Sequence, residues 1–394
     1  MNITSTDNFQ KQINILPIII IGSGVSGLTI ASKIKDTNFL ILEARDRIGG
    51  RVFTNEKNMD IGAAWIHGSD ENPLNTYLNF DNLLPISNSN PWMHSENIPI
   101  NYLCNKYNIT EENRQQIASI WNNLATKIGN KHDKTIIEGF EEVKEENFEE
   151  YKYNKNDLFS FLYMIEVWCG GSIKNVSSSF LNEAKYNSAL FGDYGGSHYI
   201  FKNGARSLID ALLNSASEKN ISDKILLNKI VSKVIYNDSY VEVHTNEGQI
   251  YYCKQLCITV PPGPLQNITF SPPLDNKRLD SLSRIKLGSY KKIQLEFLEE
   301  DVFWNDNNTP MFLTYNSKID GEAYYLNKKE DENGLLFPYI LWNNYKYSKN
   351  KPILEAICPA DIGWKLSGMP DETIIDIITS HLRNYYPNMP EPFA

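Results

Sequence analysis

Residues 22–27 read Gly-Ser-Gly-Val-Ser-Gly, and Glu43 and the run Gly49-Gly50-Arg51 follow closely. Glycines at this spacing form a device for holding phosphate. Gly22 permits a tight turn, Gly24 lets backbone come close to a pyrophosphate, and Gly27 lets the next helix pack on the preceding strand. A helix beginning there aims its free N–H groups and the positive end of its dipole at the phosphates. Glu43, about twenty residues past Gly22, stands where a carboxylate accepts hydrogen bonds from a ribose diol, and its charge repels a 2′-phosphate. Gly49 and Gly50 offer a second close backbone approach, and Arg51 a bidentate fork for a phosphate or a polar ring edge.

Such residues need a strand, a turn, a helix and a second strand to place them. Ile18 to Ile21 read as a buried parallel strand, with Pro17 tolerated as its first residue. "VSGLTIASKIK" reads as the helix, "DTN" as a turn and "FLILEA" as a second buried strand ending at Glu43. A glycine fingerprint alone is weak; here every element falls in order, and the stretch reads as a dinucleotide site. Farther on, Gly62, Ala63 and Ala64 have almost no side chains, as needed where backbone lies against a flat ring. "EENRQQIASIWNNLATKIGN" and "NDLFSFLYMIEVWCGG" show helical spacing, and the acidic run between them, "EGFEEVKEENFEEYK", is expected as a solvated helix face or loop. "YIFKNGARSLIDALLNSA" gives a strand, a turn at Gly204 and a helix. The following "KILLNKIVSKVIYNDSYVEVHTNEGQIYYCKQLCITVPP" gives a β-meander with turns at "NDS" and "NEG" and His244 on its wet face. "LGSYKKIQLEFLEEDVFW" alternates as a strand, whose period of two sends one of Lys291 and Lys292 inward and the other to solvent.

Composition narrows the function classes. The 394 residues carry 38 Lys plus Arg against 48 Asp plus Glu, a net charge of −10 that argues against nucleic acid or an anionic membrane as partner. The five cysteines (104, 169, 253, 257, 358) are scattered, the pair Cys253 and Cys257 has no second pair, and the histidines lack ligand spacing, so no metal site is expected. Cys169 is expected as a helix-end packing residue. The N-terminal "MNITSTDNFQKQINIL" lacks a charged start and a long apolar core, and no apolar run approaches the roughly 18 residues of a membrane span. The triplets at Asn108 and Asn267 then read as chance. The expectation is a soluble cytoplasmic protein.

"GSGVSG…LEARDRIGGR" closely resembles the flavin-containing amine oxidase family, in which this loop covers FAD. "DIGAAWIHG…NPL" is similar to the matching segment of polyamine oxidases, including spermine and acetylpolyamine oxidases. The resemblance implies an α/β Rossmann-like FAD-binding domain with an inserted α+β substrate-binding domain. The FAD-binding segments would be 14–75 and 198–284, and the substrate domain 76–197, mainly helical, and 285–394. It implies non-covalent FAD held by Gly22, Gly24, Ser26, Gly27, Glu43, Ala44, Arg45, Gly49, Gly50, Arg51, Gly62, Ala63, Ala64 and Trp65, with Val231 of "LNKIV" touching the adenine through its backbone. His67 of "WIHG" would lie beside the substrate, and Lys292 would reach flavin N5 through one water. The implied reaction oxidises an amine, best a polyamine, to an imine and then an aldehyde while O2 becomes H2O2. The alternatives are a flavoenzyme of the same superfamily acting on monoamines or L-amino acids, for which Arg206 is the candidate carboxylate partner without a supporting motif, and a non-catalytic flavin-fold protein. In the family "LR…PEP" precedes a tail with a second flavin motif, whereas this chain stops at "SHLRNYYPNMPEPFA", so the resemblance implies a site short of part of its floor.

Overall fold

A computed structural model describes residues 14–87, 100–103, 119–120, 123–150, 155–181, 196–304, 310–316, 318–326 and 337–393. Cys104, Asn108, the N-terminal segment and much of the helix expected over "EENRQQIASIWNNLATKIGN" lie outside them; residues 123–129 are helical. The chain divides into two units, one formed by residues 1–64, 76–79 and 203–287, the other by 65–75, 80–202 and 288–394. The expected segments differ at several places: residues 198–202 fall with the second unit, and residues 76–79 and 285–287 with the first. Residues 65–75 belong with the second unit because the strand β3 (Trp65–Ile66) pairs with β6 (His198–Phe201), which also pairs with β4 (Leu83–Ser87).

The first unit is built on a seven-stranded sheet. Its centre is β1 (Ile15–Ile21), which runs parallel to β2 (Phe39–Leu42) on one side and to β10 (Ile250–Ile258) on the other. Being sandwiched explains its run of isoleucines, of which Ile19 and Ile20 are fully buried. Pro17 is not the first residue of that strand but its third. Pairing with β2 starts only at Ile18, so the proline sits where the strand has a single neighbour and its missing N–H is tolerated. Beyond β2 lies β7 (Ile225–Leu226), and beyond β10 come β9 (Val241–Thr245), β8 (Val231–Tyr236) and β11 (Thr269–Ser271). β8 to β10 form the expected meander. His244 is half-buried there, 3.1 Å from Glu242 Oε2, while neighbouring Val243 is fully buried. The helix Val25–Lys33 packs on the helix Arg206–Asn214. Lys219 Nζ donates to the carbonyls of Ser32 and Ile34, closing off the first helix at its C-terminal end where a positive charge is favoured.

The second unit has a five-stranded sheet in the order β12 (Tyr290–Glu296), β15 (Ile353–Pro359), β14 (Tyr339–Asn344), β13 (Met311–Tyr315) and β5 (Ile100–Leu103). The stretch 76–197, expected to be mainly helical, thus contributes the strands β4 and β5 as well. The acidic run forms the helix Ile136–Glu150, which buries Ile136, Phe140 and Val143 and exposes Glu141 and Glu142, a solvated-face helix as expected. The helix Lys155–Cys169 is buried almost all round: Phe159, Phe161, Leu162, Tyr163, Met164 and Ile165 belong to the core. Its Tyr163 hydroxyl accepts from Leu341 N at 2.8 Å and donates to Ile357 O at 2.7 Å, inserting between two residues that face each other across β14 and β15. Cys169 ends that helix half-buried, its thiol pushed by burial up to about 11, which suits packing rather than reactivity. Among the described residues no helix is long and apolar enough to cross a membrane, and no group of acidic, His and Cys side chains could hold a metal ion.

On the helix Asp371–Arg383, His381 is enclosed between Phe337 and Tyr385, with Nε2 2.9 Å from Thr314 Oγ1. Burial pushes this imidazole down to about 3. The folded protein therefore keeps His381 neutral at pH values where the unfolded chain binds a proton, and folding is disfavoured by acid. Its contribution is complete above about pH 6.5 and lost as pH falls toward 3, at a limiting slope of roughly 1.4 kcal/mol per pH unit. Thermal unfolding followed from pH 7.5 to 5 should show a falling Tm, and His381→Gln should flatten part of that slope; an unchanged slope would contradict it.

Candidate functional site

The glycine loop follows β1 directly. Gly22 takes a positive φ of 102°, and its N–H donates to Leu42 O at 2.8 Å, tying the turn to the next strand. Gly27 faces that turn from the first helix, where a Cβ would lie 2.0 Å from Gly22 O. Only glycine permits this approach of helix to loop. Gly24 caps the helix without any side-chain hydrogen bond, which leaves the first N–H groups available to a ligand. The second glycine pair meets the first: Gly24 and Gly49 form a parallel bridge, Gly49 N donates to Ser23 O at 3.0 Å, and Arg45 Nη1 donates to Gly50 O at 3.1 Å.

Glu43 is buried beneath these loops. Its Oε2 accepts from both Ser23 N at 2.8 Å and Ser23 Oγ at 2.7 Å, and its Oε1 from Arg45 N at 2.9 Å. The carboxylate thus fixes the loop as well as facing the space beside it. That space is a cavity of about 480 Å³. Of the residues expected at a cofactor, Gly22, Gly24, Ser26, Glu43, Ala44, Arg45, Gly49, Gly50, Arg51, Ala63 and Val231 line it. Gly27, Gly62, Ala64 and Trp65 do not. At Gly62 a Cβ would lie 2.1 Å from Arg51 O, so its size also permits a close backbone crossing. The cavity also takes Lys229, Asn246, Thr259 and Asn267, none expected at a cofactor from the sequence. Thr259 is the most informative. Its Oγ1 donates to Ile21 O at 2.8 Å and sits 2.7 Å from where a Cβ on Gly22 would fall, so it backs the turn from across the sheet.

Comparison with known proteins follows the same residues. A model of the family described as flavin containing amine oxidoreductase matches residues 25–394. The chain belongs to this family. It is 25% identical to a probable polyamine oxidase 4 of Arabidopsis thaliana over 99% of this chain and 76% of that protein, and 25% identical to polyamine oxidase 4 of Oryza sativa subsp. japonica over 95% and 74%. A redesigned putrescine oxidase of known structure matches its fold with a TM-score of 0.64 at 16% identity, over 96% of this chain and 83% of that one. The chain is an FAD-dependent amine oxidase of the α/β fold expected. The cavity fits FAD: an uncapped helix start and two side-chain-free loops suit the pyrophosphate, the Glu43 carboxylate a ribose, and the apolar wall around Val231 and Ile268 an adenine.

The second unit holds the two residues expected near the chemistry. Trp65 stacks on His67 at 5.8 Å between centroids, and His198 meets His67 edge-on at 5.7 Å. His67 keeps solvent access at its edge while protein surrounds it in depth. Burial first, then the neighbouring His198, pushes its pKa down from the usual histidine value, so the ring is neutral at pH 7. His198 is almost fully buried, also pushed down to about 4, and neither ring nitrogen has a hydrogen-bond partner among the described residues. Lys292 lies on β12 with its ammonium 3.4 Å from Oε1 of the buried Glu355. Lys291 is not solvent-facing as expected but half-buried, 3.4 Å from Leu366 O, because the helix Ala360–Leu366 packs on β12 and β15. Arg206 is exposed and paired with Asp210 one helical turn on.

The close approach at Gly27 gives a direct test. Gly27→Ala should weaken FAD binding by about 10- to 100-fold, the effect of overpacking by one methyl group, measured by titrating apoprotein with FAD. Gly368→Ala, where an added Cβ meets nothing within 4 Å, should leave it unchanged.

Proposed function

We propose that the chain oxidises a polyamine at a C–N bond, giving an imine that water hydrolyses to an aldehyde and a smaller amine while O2 is reduced to H2O2. The observation that carries the reading is the placement of the His67 imidazole against Trp65 and His198, in surroundings that lower its pKa and favour the neutral ring. A neutral ring accepts a hydrogen bond from an amine N–H, whereas an imidazolium would repel a cationic substrate. The net charge of −10 favours a polycation over an anionic substrate. The names of the plant relatives point the same way. FAD, when bound, supplies the two-electron acceptor. In this proposal His67 seats an amino group of the substrate and Lys292 handles a proton. The free thiols of Cys169, Cys253, Cys257 and Cys358 suit a reducing compartment, so the proposal includes a cytoplasmic setting.

Oxidation of an L-amino acid is the less favoured reading. It calls for an arginine to receive the carboxylate, and the candidate Arg206 is an exposed partner of Asp210. H2O2 formation from spermine, phenylethylamine and leucine separates the readings. Turnover of spermine, with His67→Ala raising its KM by roughly tenfold for one lost hydrogen bond, is expected; preference for leucine or phenylethylamine would overturn the polyamine assignment.

A further inference from the structure

Glu355 is completely buried, yet it is a carboxylate in the middle of a β-sheet. A charge in that position costs several kcal/mol unless it is compensated. Four donors converge on it. Gln294 Nε2 donates to Oε2 at 2.6 Å, while Asn343 Nδ2 at 2.8 Å, the Tyr345 hydroxyl at 3.2 Å and Lys292 Nζ at 3.4 Å all face Oε1. The register of the sheet makes this possible. Glu355 lies directly opposite Gln294 on β12 and opposite Asn343 on β14, so both amides reach it from its own face. Lys292, two residues before Gln294, sends its side chain to that same face. The two amides and the phenol hold the carboxylate in one orientation, and the carboxylate in turn gives the Lys292 ammonium a fixed counter-charge.

We infer that Glu355 is the positioning residue for Lys292: its fixed carboxylate holds the lysine ammonium in place, and the proton handling proposed for Lys292 depends on that hold. The inference rests on the assignment of Lys292 made above but not on the identity of the amine. Glu355 touches neither substrate nor cofactor in this account; it acts through the lysine. Glu355→Gln preserves shape and removes only the charge. The Gln294 amide can rotate to present its oxygen to the new NH2 group, so the neutral network stays satisfied while the lysine loses this carboxylate counter-charge.

The test uses the full-length holoprotein of four forms: wild type, Lys292→Met, Glu355→Gln and the double variant. Each is reduced with dithionite and mixed with air-saturated buffer, and reoxidation is followed by flavin absorbance, which needs no amine substrate. Each is also unfolded thermally with FAD removed. Lys292→Met should slow reoxidation about 100-fold, the low end of positioned proton transfer. Glu355→Gln should slow it at least about tenfold, and the double variant should be no slower than Lys292→Met, because both changes remove one function. In the apoprotein Glu355→Gln should lower Tm by roughly 5–10 °C, and the double variant should recover most of that, since it no longer holds an ammonium whose buried counter-charge has been removed. Wild-type reoxidation in Glu355→Gln beside a slow Lys292→Met would overturn the inference and leave the carboxylate a structural one. Losses that multiply in the double variant would overturn it too. Wild-type reoxidation in Lys292→Met would remove the lysine's role and the inference with it, whereas failure of spermine as substrate touches neither. Should Glu355→Gln not fold, Glu355→Asp carries the same comparison: it keeps the charge but shortens the reach, and it should fall between wild type and Lys292→Met.

Discussion

The first unit depends on one backbone crossing, where the Gly22–Gly24 turn and the Gly49–Gly50 turn lie against each other. A Cβ on Gly50 would stand 3.2 Å from the Cα of Gly24, and Gly49 N bonds Ser23 O. Two polypeptide segments can come this close only where side chains are absent, and the result is a surface of backbone N–H groups facing a cavity. Glu43 locks the arrangement from below through three hydrogen bonds. Bonds to a charged acceptor are each worth about 1.5–3 kcal/mol, enough to keep the loop in one shape before any ligand arrives. A site prepared in this way loses little entropy on binding.

The second unit handles polarity in the opposite manner. Its buried groups are side chains rather than backbone, and they are mostly paired: Glu355 with its four donors, His381 with Thr314, and the Tyr163 hydroxyl between two strands. Burial keeps His198 and His381 neutral, which suits an enzyme whose substrate is a base. Among the exceptions is His198, buried with both ring nitrogens unsatisfied among the described residues. Such a group costs about 1–3 kcal/mol unless water or a ligand meets it, and its ring lies against His67, the residue assigned to the amine.

Much of the nucleotide unit was legible because its signals are local. A run of isoleucines, glycines at fixed spacing and a carboxylate about one βαβ strand later can each be read without knowing what lies across the sheet. Pro17 was misplaced by two residues because the strand begins before its second neighbour does, and pairing partners are invisible to a single segment. Thr259, Lys229 and Asn246 reach the cavity from distant segments of the chain, and nothing in their own neighbourhood marks them. The size of Gly62 is also required by a neighbour its own segment does not reveal, the carbonyl of Arg51. Period two separated Lys291 from Lys292 onto opposite faces but carried no information about the helices covering the sheet. Glu355 went unnoticed for the same reason: a lone acidic residue in "PILEAICP" is anomalous only once all seven residues of β15 are seen to be buried.

The central claim is that this chain's own loops form a working FAD site. The most direct measurement is the visible absorption spectrum of the purified 394-residue protein. Flavin bands close to equimolar with the chain are the expected result. A folded, colourless protein that stays colourless after FAD is added and excess is removed would contradict the account.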